Sequence, residues 1–197
     1  MISKIHPIGI IANENKPSEP TRARILREWV LPFWPTCPIY GKWTADGAAE
    51  IGRPDISPLS TAKLSYELSC WSSTLMMPAS GSGWATAKPW ESFAAGVVCF
   101  FHPAYDTGDS VLGDAEPWLH TFLRPGSPDE LRSRVDFVHE DSKSRTKIVL
   151  AQREHFYRVQ ADTRWGLLRV EARLGLPHPV NGVPSSTALS RTDSVIP

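Results

Sequence analysis

The chain lacks an excess of charge, a patterned set of cysteines, a long apolar run and a glycine–lysine phosphate loop. Each absence removes a class of function. Lys and Arg number 21, Asp and Glu also 21, and the formal net charge is zero. Nothing therefore argues for a surface that coats nucleic-acid phosphates. The three cysteines, Cys37, Cys70 and Cys99, are isolated, odd in number and set in apolar contexts. No pair has metal or redox spacing, so they are predicted to be buried free thiols in a reducing compartment. No segment approaches the length of a membrane span. Lys4 is followed by a short Ile/Pro/Gly run rather than the sustained apolar region of a signal peptide. These features predict a soluble, cytoplasmic protein with no internal repeat. Two phosphate-loop patterns also fail. A P-loop needs Gly directly before its Lys, but Lys88 stands between Ala87 and Pro89. The fingerprint G-x-G-x-x-G is broken because Thr86 takes the third glycine position.

What is present is organised around one stretch, Ser80 to Phe101. It reads as a small-residue loop, a short helix and a buried strand. The apolar run Ser73 to Pro78 before it reads as another strand, which together makes a βαβ unit. Thr86 is placed to cap the helix, Pro89 falls in its first turn, and Gly96 is a natural stop. Ala87, Trp90, Phe93 and Ala94 share the side that would pack on a sheet, with Lys88 and Glu91 together off it. Ser82 and Gly83 let the backbone approach a ligand closely. A helix N-terminus and an ammonium group together favour an anion near Thr86 to Lys88. The plain alternative is an ordinary αβ connection with a surface glutamate.

The pattern PASGSGWATAKPWESFAAGVVCF resembles the donor-binding motif of GT-B glycosyltransferases. The resemblance implies that Glu91 holds the ribose hydroxyls of a sugar nucleotide. It implies that the loop Ser80 to Lys88, with Ser82, Gly83, Trp84, Thr86, Ala87 and Lys88, holds the diphosphate. Many retaining members carry a second Glu eight positions earlier, where this chain has Gly83, so the resemblance leaves open whether transfer is retaining or inverting. It also implies contacts from the loop after the first strand, through Lys16 or Arg22. Gly41 and Lys42 fall where members place a glycine loop beside the nucleotide. The simpler readings are a solvated basic face for Arg22 and a plain turn at Gly41.

In chain order, Ile5 to Ala12 is predicted to be the first strand, and Thr21 to cap a helix through about Leu31 with Ile25, Leu26, Trp29 and Val30 inward. Cys37 to Tyr40 reads as a second strand, Thr44 to Asp55 as irregular, and Pro58 to about Trp71 as a helix. The segment His102 to Asp109 matches no standard metal spacing and reads as a turn or a sugar-contacting loop, through Asp106 or Asp109. Trp118 to Leu123 reads as a short strand. Ser127, Pro128 and Glu130 form a capping box that opens a helix to about His139. Two more helices follow, to about Val159 and over about Thr163 to Leu174. The fold class expected is α/β: a Rossmann-like parallel sheet of four to six strands with helices on both faces, followed by C-terminal helices. Residues 1–177 are predicted to form this domain and 178–197 a flexible tail.

The functional expectation is a glycosyltransferase, or its donor-binding half, that moves a sugar from a nucleoside-diphosphate sugar without a metal or other cofactor. A whole GT-B enzyme has two such domains, so a second domain or chain would supply the acceptor half. A non-catalytic protein that keeps the fold without ligand is the second reading.

Overall fold

In the computed structural model, residues 4–14, 21–78, 88–105, 112 and 115–173 are described. The first strand runs as two pieces, β1 (His6–Ile8) and β2 (Ile10–Ile11), around Gly9. β1 pairs in parallel with β4 (Trp71–Met76), and β2 pairs in parallel with β3 (Ile39–Tyr40). The reason is the alternation of a central strand, whose successive N–H groups face opposite edges. Gly9 N donates to Ser73 O at 3.1 Å, and Ile10 N donates to Pro38 O at 2.9 Å. β4 also pairs in parallel with β5 (Val98–Phe101), from Ser73 opposite Val98 to Met76 opposite Phe101. The ladders are a three-stranded sheet in the order β1-β4-β5 and a two-stranded one, β2-β3, joined through Gly9 of the first strand. This parallel α/β arrangement is the one expected.

Both faces of the sheet are covered. Every residue of β4 and β5 is buried, as parallel strands flanked by helices require. Trp71 and Ser72 point to opposite faces. On one face Trp71 packs with Leu68 and Leu64 of α3 (Thr61–Ser69). On the other, Ser72 Oγ lies 2.8 Å from His139 Nδ1 of α6 (Pro128–Glu140). Between β4 and β5 runs α4 (Lys88–Ala94), ended by Gly96 at φ +71° as its sequence predicts.

Several expected features are borne out by their local chemistry. Thr21 caps α1 (Arg22–Ile25) by accepting from Arg24 N at 3.2 Å, and a π-helical turn carries the helix on through Leu26–Val30. Ile25, Leu26, Trp29 and Val30 are all buried. Ser127 Oγ accepts from Glu130 N at 3.2 Å, while the Glu130 carboxylate accepts from Gly126 N rather than closing the box on Ser127. Cys37, Cys70 and Cys99 are free and buried. Burial pushes the Cys37 thiol up to about 11 and raises that of Cys99 further, so neither is a ready thiolate.

Four expectations are corrected. The segment read as irregular contains α2 (Ala45–Glu50), capped by Thr44 Oγ1 accepting from Gly47 N at 3.1 Å. The glycines suggested a loop, but the cap and Asp46 in the first turn outweigh them. Trp118 to Leu123 lies in a helix, α5 (Pro117–Leu123), because Leu119 and Leu123 are buried at i, i+4 spacing and not in alternation. Trp71 opens β4 instead of ending a helix, since its pairing with His6 decides its state. A single helix, α7 (Ser142–Arg173), replaces two, with no Gly or Pro between Val159 and Thr163 to break it. The chain divides into two contact units, Met1–Val159 and Gln160–Pro197, and the described part of the second, residues 160–173, is helix. The predicted tail lies outside the described residues. Among the described residues no helix is long and apolar enough to cross a membrane.

Gly9 makes the junction possible. A Cβ there would run into the indole of Trp71, which is fully buried and stacked on Tyr40 at 6.2 Å. Gly9→Ala is expected to cost about 1–3 kcal/mol, the range for overpacking a filled core. Chemical denaturation reads this as a lower midpoint at unchanged slope. An unchanged midpoint would show that the indole moves aside freely.

Candidate functional site

The strand order places a change of direction between the first strand and β4. The chain leaves β2 toward β3 on one side, and leaves β4 toward β5 on the other. Ligands of open α/β sheets bind at such a point, outside the C-terminal strand ends. Arg22 sits there. Its Nη1 donates to Asn13 O at 2.7 Å, just beyond β2, and its Nε donates to Pro78 O at 3.0 Å, just beyond β4. One guanidinium thus ties the two strand ends together. Thr21 fixes its position by capping α1 directly before it. Burial lowers the pKa of Arg22 from its usual value, with Tyr105 acting in the opposite direction. The group nonetheless stays a cation. Beneath it lies a small cavity of about 20 Å³, lined by Ile11, Ala12, Leu75, Met76, Met77 and Tyr105.

The β3 end is held by main-chain approach. Gly41 N donates to Ser57 O at 3.1 Å, and a Cβ on Gly41 would strike the Ala12 carbonyl. Trp43 Nε1 donates to that same carbonyl at 2.6 Å. Asn13 Oδ1 accepts from Lys42 N at 2.9 Å, and Glu14 Oε2 accepts from Thr44 N at 2.7 Å. The start of α2 therefore already has its carboxylate. The Lys42 N–H is committed to Asn13, while its exposed side chain reaches solvent.

Beyond β5 an open cleft of about 590 Å³ is lined by Arg24, Glu28, Trp29, His102, Pro103, Ala104 and Gly126. His102 is buried, with the Trp29 ring edge-on at 4.5 Å. Its Nδ1 accepts from Ala104 N at 3.1 Å, which leaves the ring proton on Nε2. Burial lowers its pKa to about 4, against the opposing charge of Glu28. It is a neutral donor at pH 7, not a base.

The structure places Arg22, Gly41 and Lys42 at the C-terminal strand ends. Lys88 opens α4, and Glu91 is exposed in that helix's first turn. Lys16, Ser82, Gly83, Trp84, Thr86 and Ala87 lie outside the described residues, as do Asp106 and Asp109. Sequence reasoning missed Asn13, Glu14 and Trp43. The signal available was Asn-Glu directly after an apolar strand, which reads only as a polar loop until the partner strand is known.

Comparison with protein-family models gave no match, and comparison with curated proteins gave none either. Solved structures do match. One is a DNA-modifying β-glucosyltransferase solved in the presence and absence of uridine diphosphoglucose, at 13% identity, TM-score 0.68, over 89% of this chain and 53% of that one. A variant of T4 phage BGT in complex with UDP-glucose matches at 13% identity, TM-score 0.67, over 89% and 50%. T4 phage BGT in complex with UDP and Mn2+ matches at 14% identity, TM-score 0.62, over 89% and 50%. The chain spans about half the length of these proteins. At such identities the likeness establishes the fold, which is that of a GT-B-like glycosyltransferase domain. One expectation is overturned. The sequence reading called for no metal or other cofactor, but a protein of this fold is held in complex with UDP and Mn2+. A divalent cation neutralises the same diphosphate charge that a protein ammonium would.

Two outcomes follow. The native state holds His102 below its unfolded value, so the unfolded chain binds more protons between about pH 4 and 6.5. The contribution of His102 to stability is therefore constant above about pH 6.5 and falls as pH drops toward 4, by an amount on the order of 1–3 kcal/mol. His102→Gln should flatten that part of the pH–stability curve, and an unchanged slope would remove His102 as its source. Arg22→Met leaves two strand-end carbonyls without their donor and should cost about 1–3 kcal/mol in denaturant unfolding. Arg22→Lys should recover little, because an ammonium lacks the guanidinium fork. Full recovery would show that charge alone suffices.

Proposed function

We propose that this chain is the donor-binding half of a glycosyltransferase that moves a sugar from a nucleoside-diphosphate sugar to an acceptor. The observation that supports the reading most is placement. The chain leaves β4 at the point where the sheet changes direction, and returns in α4 with Glu91 exposed in the first turn. In this reading Glu91 accepts from the ribose hydroxyls. Lys88 and the loop residues before it would hold the diphosphate, and stabilise the charge that grows there as the bond to the anomeric carbon breaks. Arg22 holds the floor of the site by joining the ends of the first strand and β4. Lys42 extends from the neighbouring strand end. The acceptor and the base that activates it belong to a second domain or chain.

Among the described residues no group of three His, Cys, Asp or Glu is placed to hold a metal ion. Binding is to be measured with and without Mn2+.

Titration of uridine diphosphate by calorimetry tests the reading, in both the presence and the absence of Mn2+. Glu91→Ala removes a charge-assisted interaction and should weaken binding about 10- to 150-fold. Because Glu91 is exposed, unfolding should shift little. The loss should be smaller for the 2′-deoxyribose nucleotide, which already lacks one hydroxyl, so the four measurements form a double-mutant cycle. Equal losses for both nucleotides would remove Glu91 from the ribose. Absence of binding under either metal condition would end the donor-site reading.

A further inference from the structure

At the opposite ends of the strands lies another cavity. It opens where three parallel strands begin: Lys4 stands before β1, Ser69 before β4, and Ala95 and Gly96 before β5. Helix α7 closes its side with Arg145, Thr146, Val149, Leu150 and Arg153, and its volume is about 380 Å³. That volume lies within the range of small-molecule sites.

Its charge is one-sided. No carboxylate lines it among the described residues. The Lys4 ammonium makes two long contacts, to Leu68 O and Ala95 O, each at 3.5 Å. An ammonium carries three donors, so it is under-used. Arg145 commits Nη1 to Val138 O at 2.8 Å and to His139 O at 3.1 Å, and no bond to its Nη2 is found among the described residues. Arg153 donates through Nε to Phe93 O at 2.8 Å. The titratable groups that act on Lys4 are Arg145, which opposes its protonation, and Cys70, which acts in the other direction. Asp141, one turn before Arg145, acts on Arg145, but its oxygens are taken by the Lys143 and Ser144 N–H groups and the Ser144 hydroxyl. Two half-buried cations facing one space without an acid repel each other, and an anion between them relieves the repulsion.

We propose that this cavity binds a phosphate monoester dianion, with its phosphate between Lys4 and Arg145 and its organic body against Val149 and Leu150. Two cations call for a dianion, and a tetrahedral phosphate offers enough acceptors for both the ammonium and the guanidinium. Lys4 supplies an internal reporter. Burial and the charge of Arg145 bring its pKa down to about 8. A bound dianion favours the ammonium, so affinity falls as pH rises through the lysine's pKa. A phosphate monoester keeps its dianionic charge there, since its second pKa is near 6.

The test is calorimetric titration of the full chain with inorganic phosphate and with glycerol 3-phosphate, from about pH 7 to 9.5. Affinity for glycerol 3-phosphate should fall across that range in the natural protein. The ester should bind more tightly than the inorganic ion if the apolar wall takes its body, and equal affinity would remove that wall from the site. Lys4→Met should weaken both ligands about 10- to 100-fold and abolish the pH dependence of ester binding, while Lys4→Arg should keep affinity without that dependence. Lys63→Met, an exposed lysine on α3, should change nothing. Equal binding by Lys4→Met, an equal loss in Lys63→Met, or no heat at millimolar phosphate would each overturn the proposal. So would competition between uridine diphosphate and phosphate, since one site would then explain both. The pH slope of the unsubstituted protein keeps the test decisive even if a variant fails to fold.

Discussion

The structure depends on one strand serving two neighbours. Residues His6 to Ile11 give their first hydrogen bonds to β4 and their last to β3, and the handover occurs at Gly9. That handover joins two short ladders into one sheet. It requires a residue without a side chain, because the Trp71 indole lies across the gap. The helices on the two faces then have a surface to cover: α3 under Trp71 and α6 over Ser72.

The same handover creates the candidate site. A sheet whose first strand is central sends its connections in opposite directions, and the crevice opens between them. Arg22 keeps that crevice's floor in register by bonding one carbonyl on each side. At the other end of the same strands the chain collects Lys4, Arg145 and Arg153 around a cavity. One sheet thus presents basic groups at both ends, from different elements and with different partners.

Polar groups inside the core align the helices on the sheet. β4 carries Ser72, Ser73 and Thr74 at buried positions, which an apolar strand would not need. Ser72 meets His139 of α6, Ser73 Oγ donates to Pro7 O at 2.7 Å, and Gln152 of α7 donates to Cys99 O at 3.2 Å. Each such bond is worth little net, but a helix shifted out of place would strand a buried polar atom. Around them Phe93 and Phe156, with ring centres 3.9 Å apart, supply the apolar contact between α4 and α7.

The sequence by itself determined what is local. Thr21 and Ser127 mark helix starts because a cap is a bond within four residues, and Gly96 marks a stop because its φ is +71°. The α/β class was legible from the alternation of apolar runs and caps, and the burial of Cys37, Cys70 and Cys99 from their apolar surroundings. Only the tertiary structure decided what depends on distant partners. Trp71 is strand because His6 stands opposite it, and Leu119 and Leu123 are helical because their spacing must meet a core. Arg22 reads in sequence as a solvated base or a phosphate ligand. In the fold it is a tie between Asn13 and Pro78, residues 9 and 56 positions away. Local sequence fixes a residue's own backbone preference, whereas which carbonyl a guanidinium finds is set by strand order, and strand order is settled only when the sheet assembles.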